Sequence, residues 1–354
     1  MHLRTLTAIL LATPTRACSN FLMPHGTGLS GRTMDLGSLP GLDWELRSQP
    51  AGAVTHSAKL LPGGATTYGY LGVVPLEARV PISPLVLAGL NEKGLSCDVQ
   101  TLITSEYPRP SNASAELDIL YFCEWALGGF ADTDSVRAAL LDASRVCFTA
   151  PKALDGSNGQ HMSLRDASGR SLVVEWVGGE QHVYQDLYDD GKTGWGLMTN
   201  EPEYPWLVRM VQHFEWKQSL ARPSTSMPGA FYPDERFLRL HLVRKGLPPP
   251  KSPREALMQA AHVLNVVTVP PGAQMGTDSG AGEGQSDHTM WGVIYDHRNA
   301  TIYWRTSVNA NLGRVRLGDL PLAVGSAVVA MPMITNALPW FEDAADGFSP
   351  PRRA

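Results

Sequence analysis

Several signatures that assign a function directly are missing from this chain. Lys, Arg, Asp and Glu make up only 18% of its 354 residues, the net charge is −5, and no basic stripe is present that could neutralise phosphates. Nucleic acid is therefore not an expected partner. The longest uncharged apolar run near the start, Leu6 to Ala12, falls far short of the roughly 20 residues that span a bilayer, so no membrane span is expected. The four cysteines, at positions 18, 97, 123 and 147, form no CxxC or CxxH pair, which excludes the usual zinc and redox motifs and argues against a disulfide framework. Cys97, Cys123 and Cys147, each beside apolar residues, read as small buried hydrophobes. His25, His161, His262 and His288 show no H-E-x-x-H spacing, so they read as structural, and neither a metal nor a cofactor is expected. The stretch Gly272 to Gly284 lacks both the G-x-G-x-x-G and the GK[ST] pattern and reads as a mobile loop rather than a phosphate cradle. There is no internal repeat.

What is present is a chain that is 43% hydrophobic, enough for a large core. Met1 to Ala17, with Arg4, a short apolar stretch and a small residue at its end, reads as a leader or propeptide that is removed. A leader of this kind implies export to a secreted or periplasmic location, with a cytoplasmic protein as the alternative. Residues 18–340 read as one domain and residues 341–354 as a flexible tail.

Within the domain, short strands run from Cys18 to Val99, with Asn91-Glu-Lys-Gly94 as a hairpin link in which Gly94 is free to take a positive φ. Helices are predicted over Ala115 to Leu127 and Val136 to Leu141, the latter opened by Asp132-Thr-Asp-Ser. Strands return at His161-Met-Ser-Leu-Arg, Ser171 to Val177, Gln181-His-Val-Tyr and Gly196 to Asn200. Helices are predicted again over Tyr204 to Leu220, Glu235 to Lys245 and Pro253 to Val266, where Ser252, Pro253 and Glu255 make a capping box. A last pair of strands, Met290 to Tyr295 and Thr301 to Arg305, is joined by Asp296-His-Arg-Asn. This succession favours a layered α+β domain. Asn112-Ala-Ser and Asn299-Ala-Thr are glycosylation sequons, informative only in a secretory pathway.

Cleavage before Cys18 would place two titrating groups on one residue, a thiol with a free pKa near 8.5 and an α-amine near 7.7–8.0. The amine can take the thiol proton and later return it to a leaving nitrogen, the nucleophile-plus-base logic usually divided between Cys and His. Taken singly, the other candidates have plain readings. Arg32 with Asp35 is an ion pair at a strand end, Asn200 a turn-former before Pro202, and Arg236 a solvated helix residue.

Taken together, Cys18-Ser-Asn-Phe, Gly31-Arg-Thr-Met-Asp35, Gly89-Leu-Asn-Glu-Lys-Gly-Leu95, Thr199-Asn-Glu-Pro202, Arg236-Phe and Tyr303-Trp-Arg-Thr306 resemble the choloylglycine hydrolase family, which includes bile salt hydrolases and penicillin V acylases. The resemblance implies a four-layer αββα sandwich of the N-terminal nucleophile type and hydrolysis of linear amides without a cofactor. It implies Cys18 as nucleophile, Asp35 as the carboxylate holding its α-amine, and Arg32 beside the thiol, favouring the thiolate. Asn200 would donate its side-chain N–H to the oxyanion, Thr101 would supply a second, backbone N–H, and Arg236 would support the charge network. Thr101 departs from the Asn, Tyr or Trp usual in the family, which puts the acyl pocket's shape in question.

The expected partner is a small N-acyl amide, with an apolar acyl part and a small polar amine. An acyltransferase using the same thioester, a non-catalytic binding protein keeping the fold, and a papain-like enzyme using Cys123 or Cys147 with His161 are the rival readings. The oligomeric state is left open, a homo-oligomer included.

Overall fold

The computed structural model describes residues 18–37, 43–76, 85–109, 115–142, 146–150, 159–187, 196–220, 227–275, 286–335 and 338–340. The leader, the tail, the sequon at Asn112 and most of the Gly272 to Gly284 stretch lie outside these residues.

Alternating side chains along the early strands need two different environments, and two stacked antiparallel sheets supply them. The first sheet is built from β1 (Ser19–Leu22), β2 (Leu29–Gly37), β12 (Leu197–Thr199), β13 (Gln274–Met275), β14 (Ser286–Asp296), β15 (Thr301–Thr306) and β16 (Asn309–Arg316), in the order β12-β1-β2-β14-β15-β16 with β13 paired to β14. The second holds β3 (Trp44–Gln49), β4 (Tyr70–Pro75), β5 (Ala88–Asn91), β6 (Ser96–Thr101), β9 (Gln160–Arg165), β10 (Arg170–Val177), β11 (Glu180–Leu187) and β17 (Ala330–Pro332), in the order β11-β10-β9-β6-β5-β4-β3-β17.

Helices α3 (Tyr204–Leu220), α4 (Pro233–Gly246) and α5 (Pro253–Val266) cover the first sheet, burying Leu207, Val211, Phe237, Leu240, Val263 and Leu264 with Phe21, Leu197 and Ile294. Helices α1 (Phe122–Gly129) and α2 (Thr133–Leu141) cover the second. There Phe122, Trp125, Phe148 and Trp176 meet at ring separations of 4.8–5.9 Å. The layer order is αββα, the α+β sandwich that the resemblance implied. The bounds of α3 and α5 coincide with those read from sequence, and Ser252 caps α5 by accepting from the Glu255 N–H at 3.1 Å.

Three expectations are corrected. Ala115 to Leu127 is not one helix: Ala115–Asp118 forms β7, paired in parallel with β8 (Val146–Thr149), and a short 3₁₀ turn precedes α1. Pairing with a distant strand overrides the local helical pattern here, and Asp118 caps the turn by accepting from the Leu120 N–H. The closing pair of strands gains a third, β16, whose mostly exposed edge position needs little of the hydrophobic alternation that announces a strand. Lastly, Cys97 and Cys123 are joined in a disulfide, Cα atoms 5.4 Å apart, and are not separate thiols; Cys147 is half-buried and outside any disulfide. Cys97 points from β6 to the helical layer and Cys123 lies in the first turn of α1. A 26-residue separation with no spacing motif gives no sign of that meeting.

The Asn91-Glu-Lys-Gly94 link is a turn with Gly94 at φ +83°, and a Cβ there would lie 2.0 Å from the His297 carbonyl oxygen. Only glycine fits. Asn91 closes this turn by accepting from the Lys93 and Leu95 N–H groups at 3.0 Å, and its amide donates to the Leu127 and Phe130 carbonyls at the end of α1. His297 fastens the turn to the first sheet through the Gly94 carbonyl and Ser30, each at 2.8 Å, and burial holds its pKa down at about 4.

Candidate active site

Antiparallel pairing sets Ser19 opposite Thr33 and Asn20 opposite Arg32, so alternate residues of β1 and β2 divide between the two faces of the first sheet. Ser19, Phe21, Thr33 and Asp35 face the helices, whereas Cys18, Asn20, Arg32 and Met34 face the second sheet. Gly31 is required because Phe21 lies over it: a Cβ would meet the ring at 2.4 Å.

On the helix side, the Ser19 N–H donates to Thr33 Oγ1 at 3.1 Å, and Thr33 Oγ1 donates to Asp35 Oδ2 at 3.1 Å. The second oxygen of Asp35 accepts from Thr289, which a β-bulge between Thr289 and Trp291 brings opposite Asp35. Burial lifts the Asp35 carboxyl to about 7, while the Arg236 guanidinium, Thr289, Thr33 and Arg32 pull it back down. Arg236 rises from the start of α4, which puts it in the core instead of in solvent. One of its terminal nitrogens donates to the Cys18 carbonyl and to Ser19 Oγ, both at 2.5 Å. The other donates to Asn200 Oδ1 at 3.2 Å, and Nε donates to the Phe231 carbonyl at 2.8 Å. Burial lowers the pKa of Arg236 to about 10, so it remains a cation at neutral pH.

Asn200 follows β12 and is also buried, its Nδ2 donating to the Thr101 carbonyl at 3.0 Å. Through Arg236 and Asn200, the backbone of Cys18 is thus connected to the end of β6.

On the face between the sheets, Cys18 Sγ lies 3.7 Å from Met34 Sδ and 4.0 Å from the Asp35 carbonyl oxygen. Arg32 stands one sulfur further back, 3.4 Å from Met34 Sδ, donating to the Leu87 carbonyl and 3.8 Å from Asp98. Burial pushes the Cys18 thiol above its ordinary value. Arg32 acts against that shift, in the direction expected of it, but burial outweighs it. Asp98 accepts from Asn20 at 2.9 Å and from Tyr295 at 2.8 Å, and Arg165 donates to Asn20, so a charged seam continues from the thiol into the space between the sheets. Burial moves the Asp98 carboxyl upward, against the pull of Arg32 and the hydrogen bonds from Asn20 and Tyr295.

The structure therefore gathers Cys18, Asp35, Asn200, Arg236 and Thr101 at one end of the sandwich, with Arg32 behind the thiol. Sequence reasoning passed over Ser19, Thr33 and Met34, although they stand inside the quoted motifs. It also passed over Asn20, inside a quoted motif, and over its seam partners Asp98, Arg165 and Tyr295 and Thr289, which no local pattern announces. Among the described residues, no three His, Cys, Asp or Glu side chains converge to hold a metal, and no helix is long and apolar enough to cross a membrane.

Comparison with known proteins places the chain in a family. A family model of linear amide C–N hydrolases, the choloylglycine hydrolase family, matches residues 18–330. Penicillin V acylase of Pectobacterium atrosepticum is 24% identical over 252 residues, covering 66% of this chain and 62% of the acylase, just under two thirds of that relative's length. A bile salt hydrolase/transferase of Clostridium perfringens is 23% identical over 251 residues, covering 66% of this chain and 72% of the relative. In fold, a variant of the conjugated bile acid hydrolase of Clostridium perfringens superposes with a TM-score of 0.71 at 19% identity, covering 89% of this chain and 97% of the other. The penicillin V acylase of Agrobacterium tumefaciens gives 0.70 at 20% identity, covering 88% and 90%. With a family match that starts at Cys18 and takes in every candidate residue, the chain belongs to the choloylglycine hydrolase family of linear amide C–N hydrolases.

Proposed function

We propose that the chain is a cysteine N-terminal nucleophile hydrolase that cleaves N-acyl amides after loss of Met1 to Ala17. The observation that carries this reading is that one buried guanidinium, that of Arg236, holds both the Cys18 carbonyl and the Asn200 side chain. Nucleophile and oxyanion donor are thereby fixed in one frame.

In the proposed cycle the thiol proton passes to the freed α-amine of Cys18, and sulfur attacks the substrate carbonyl. Negative charge collects on the carbonyl oxygen, which accepts from Asn200 Nδ2–H and the Thr101 backbone N–H. As the C–N bond breaks, the α-ammonium returns its proton to the leaving amine. Water then hydrolyses the thioester and regenerates the thiol. Asp35, one residue-pair from the Ser19 N–H, is the counter-charge for that ammonium. An ammonium at this position and Arg32 together oppose the burial that raises the thiol pKa.

The substrates suggested by the relatives' names are amides of the bile salt conjugate, penicillin V and N-acyl amino acid kind. An acyltransferase is the second reading, favoured by the relative described as a hydrolase/transferase. Export is proposed on the leader and is supported by the Cys97–Cys123 disulfide, a bond that persists in oxidising compartments.

The test is intact mass of the purified protein, followed by a panel of N-acyl amino acids, bile salt conjugates, phenoxyacetyl amides and acyl homoserine lactones, with and without an added amine acceptor. A chain beginning at Cys18 that releases a free amine supports the reading. Transfer of the acyl group to the acceptor at the expense of free acid moves the assignment to the transferase. A mature chain beginning at Met1, or activity surviving Cys18→Ala, refutes the mechanism.

A further inference from the structure

Between the sheets, at the end where Thr101 meets Asn200, three polar side chains form a row that the proposed cycle does not use. Gln100 of β6 stands opposite His161 of β9, and Glu175 occupies the next place on β10. Asp98, two residues before Gln100, reaches Asn20 and Tyr295 of the other sheet, and Arg165 on β9 likewise reaches Asn20. By alternation, Gln100 and His161 face the same space. Both are fully buried, with relative exposures of 2% and 0%.

His161 Nδ1 lies 3.0 Å from Glu175 Oε1, and both oxygens of Glu175 accept from the Tyr204 N–H at 3.0 Å. A Glu175 carboxylate can only accept, so the neutral imidazole that donates to it from Nδ1 is the tautomer that leaves Nε2 as an acceptor. That Nε2, and both amide atoms of Gln100, have no hydrogen-bond partner among the described residues. Three such atoms on cross-strand neighbours about 5 Å apart at Cβ are costly to bury unless water or a ligand bonds them.

Gln100 directly precedes Thr101, whose carbonyl holds Asn200, so the row lies beside the proposed oxyanion donors. We propose that Gln100 and His161 form a subsite that recognises a neutral hydrogen-bonding group, a hydroxyl, on the part of the substrate flanking the scissile carbonyl. Two acceptors and one donor suit a group that carries both a hydrogen and a lone pair. A carboxylate would meet two acceptors, and a charged group would lose its hydration without a counter-ion.

This inference rests on the Cys18 reading for the site's location, and its test separates the two. Two matched pairs are compared, phenylacetyl-glycine with mandeloyl-glycine for a hydroxyl on the acyl side, and phenylacetyl-alanine with phenylacetyl-serine for one on the amine side. Preference is read as kcat/KM of the matured enzyme and as Kd on the matured Cys18→Ala variant, which needs no turnover. The hydroxyl-bearing member of one pair is expected to be favoured by about 10- to 150-fold, a range set by the cost of leaving a buried polar group unpaired. In the near-isosteric Gln100→Met, that ratio is expected to fall at least about tenfold. A preference in Kd without turnover would break the Cys18 mechanism and leave the subsite standing. Ratios near one in both pairs, absence of measurable binding included, overturn the subsite. So does a Gln100→Met variant that lowers both members equally, the mark of a purely structural role.

Discussion

Two buried regions of this molecule solve opposite problems. Beneath α1, Phe122, Trp125, Phe148 and Trp176 fill the space between helix and sheet with rings whose contacts require little beyond shape. Between the sheets, Asn20, Arg32, Asp98, Arg165 and Tyr295 occupy an equally dry space with charges and amides, each oriented by a named partner. The first region gains stability from apolar area removed from water, at roughly 25 cal/mol per Å². The second pays desolvation for direction, since a buried ion pair seldom outdoes a hydrophobic one in stability yet fixes where donors and acceptors point. The candidate site is at the end of the second region. It needs the rigidity of the first without its lack of polarity.

That contrast can be broken most forcibly at the thiol. Cys18→Ala is expected to lower kcat by at least about 10⁴-fold, the scale on which loss of a nucleophile is felt, while leaving the melting temperature near that of the matured parent. Under α1 the pattern reverses: Phe122→Ala should cost about 3–5 kcal/mol of unfolding free energy in a denaturant titration while leaving kcat per folded molecule largely intact. A large drop in kcat there would mean that the aromatic layer transmits to the site.

Asn200→Ala is expected to raise the barrier by about 2.7–4 kcal/mol, seen in kcat far more than in KM. An effect confined to KM would remove Asn200 from the oxyanion role. Replacing Cys97 and Cys123 together by Ala should cost about 2–4 kcal/mol, given the 26-residue separation they close, and should be seen as a lower denaturation midpoint.

The last effect expected is on pH dependence. Asp35 has its pKa raised from 3.8 to about 7 by burial, so between those values the folded state holds a proton that the unfolded state has released. Stability contributed by the neutral carboxyl is full below about 4 and is lost as pH rises through about 7. Asp35→Asn, neutral throughout, should flatten this slope in the uncleaved chain. In the matured chain the Cys18 ammonium should favour the carboxylate and reduce the slope of the parent itself.

The comparison also separates what could be read from sequence from what could not. Helix α3 was legible to the residue from its local pattern, α5 also from its cap, and Gly94 from the turn it ends; that Phe21 leaves no room for a Cβ at Gly31, nor His297 at Gly94, is seen only in the folded chain. The candidate residues were legible as short motifs in one order. Thr289, by contrast, reaches Asp35 only through a bulge, and Asp98 serves Arg32, Asn20 and Tyr295 from three different strands. Partners brought together by strand pairing and sheet stacking are separated by tens to hundreds of positions, so no spacing rule in one sequence can expose them. The disulfide and β7 were missed for the same reason.

By itself, the sequence determined the alternation that splits β1 and β2 into two faces, the helices and their caps, and the identity of the groups able to do chemistry. Only the tertiary structure decided which of those groups share a dry space. It also decided that Arg236 is buried between Cys18 and Asn200 instead of solvated on a helix, and that burial outweighs Arg32 in setting the thiol. Local propensity is a property of neighbouring residues, whereas desolvation and long-range hydrogen bonding exist only once distant strands have stacked.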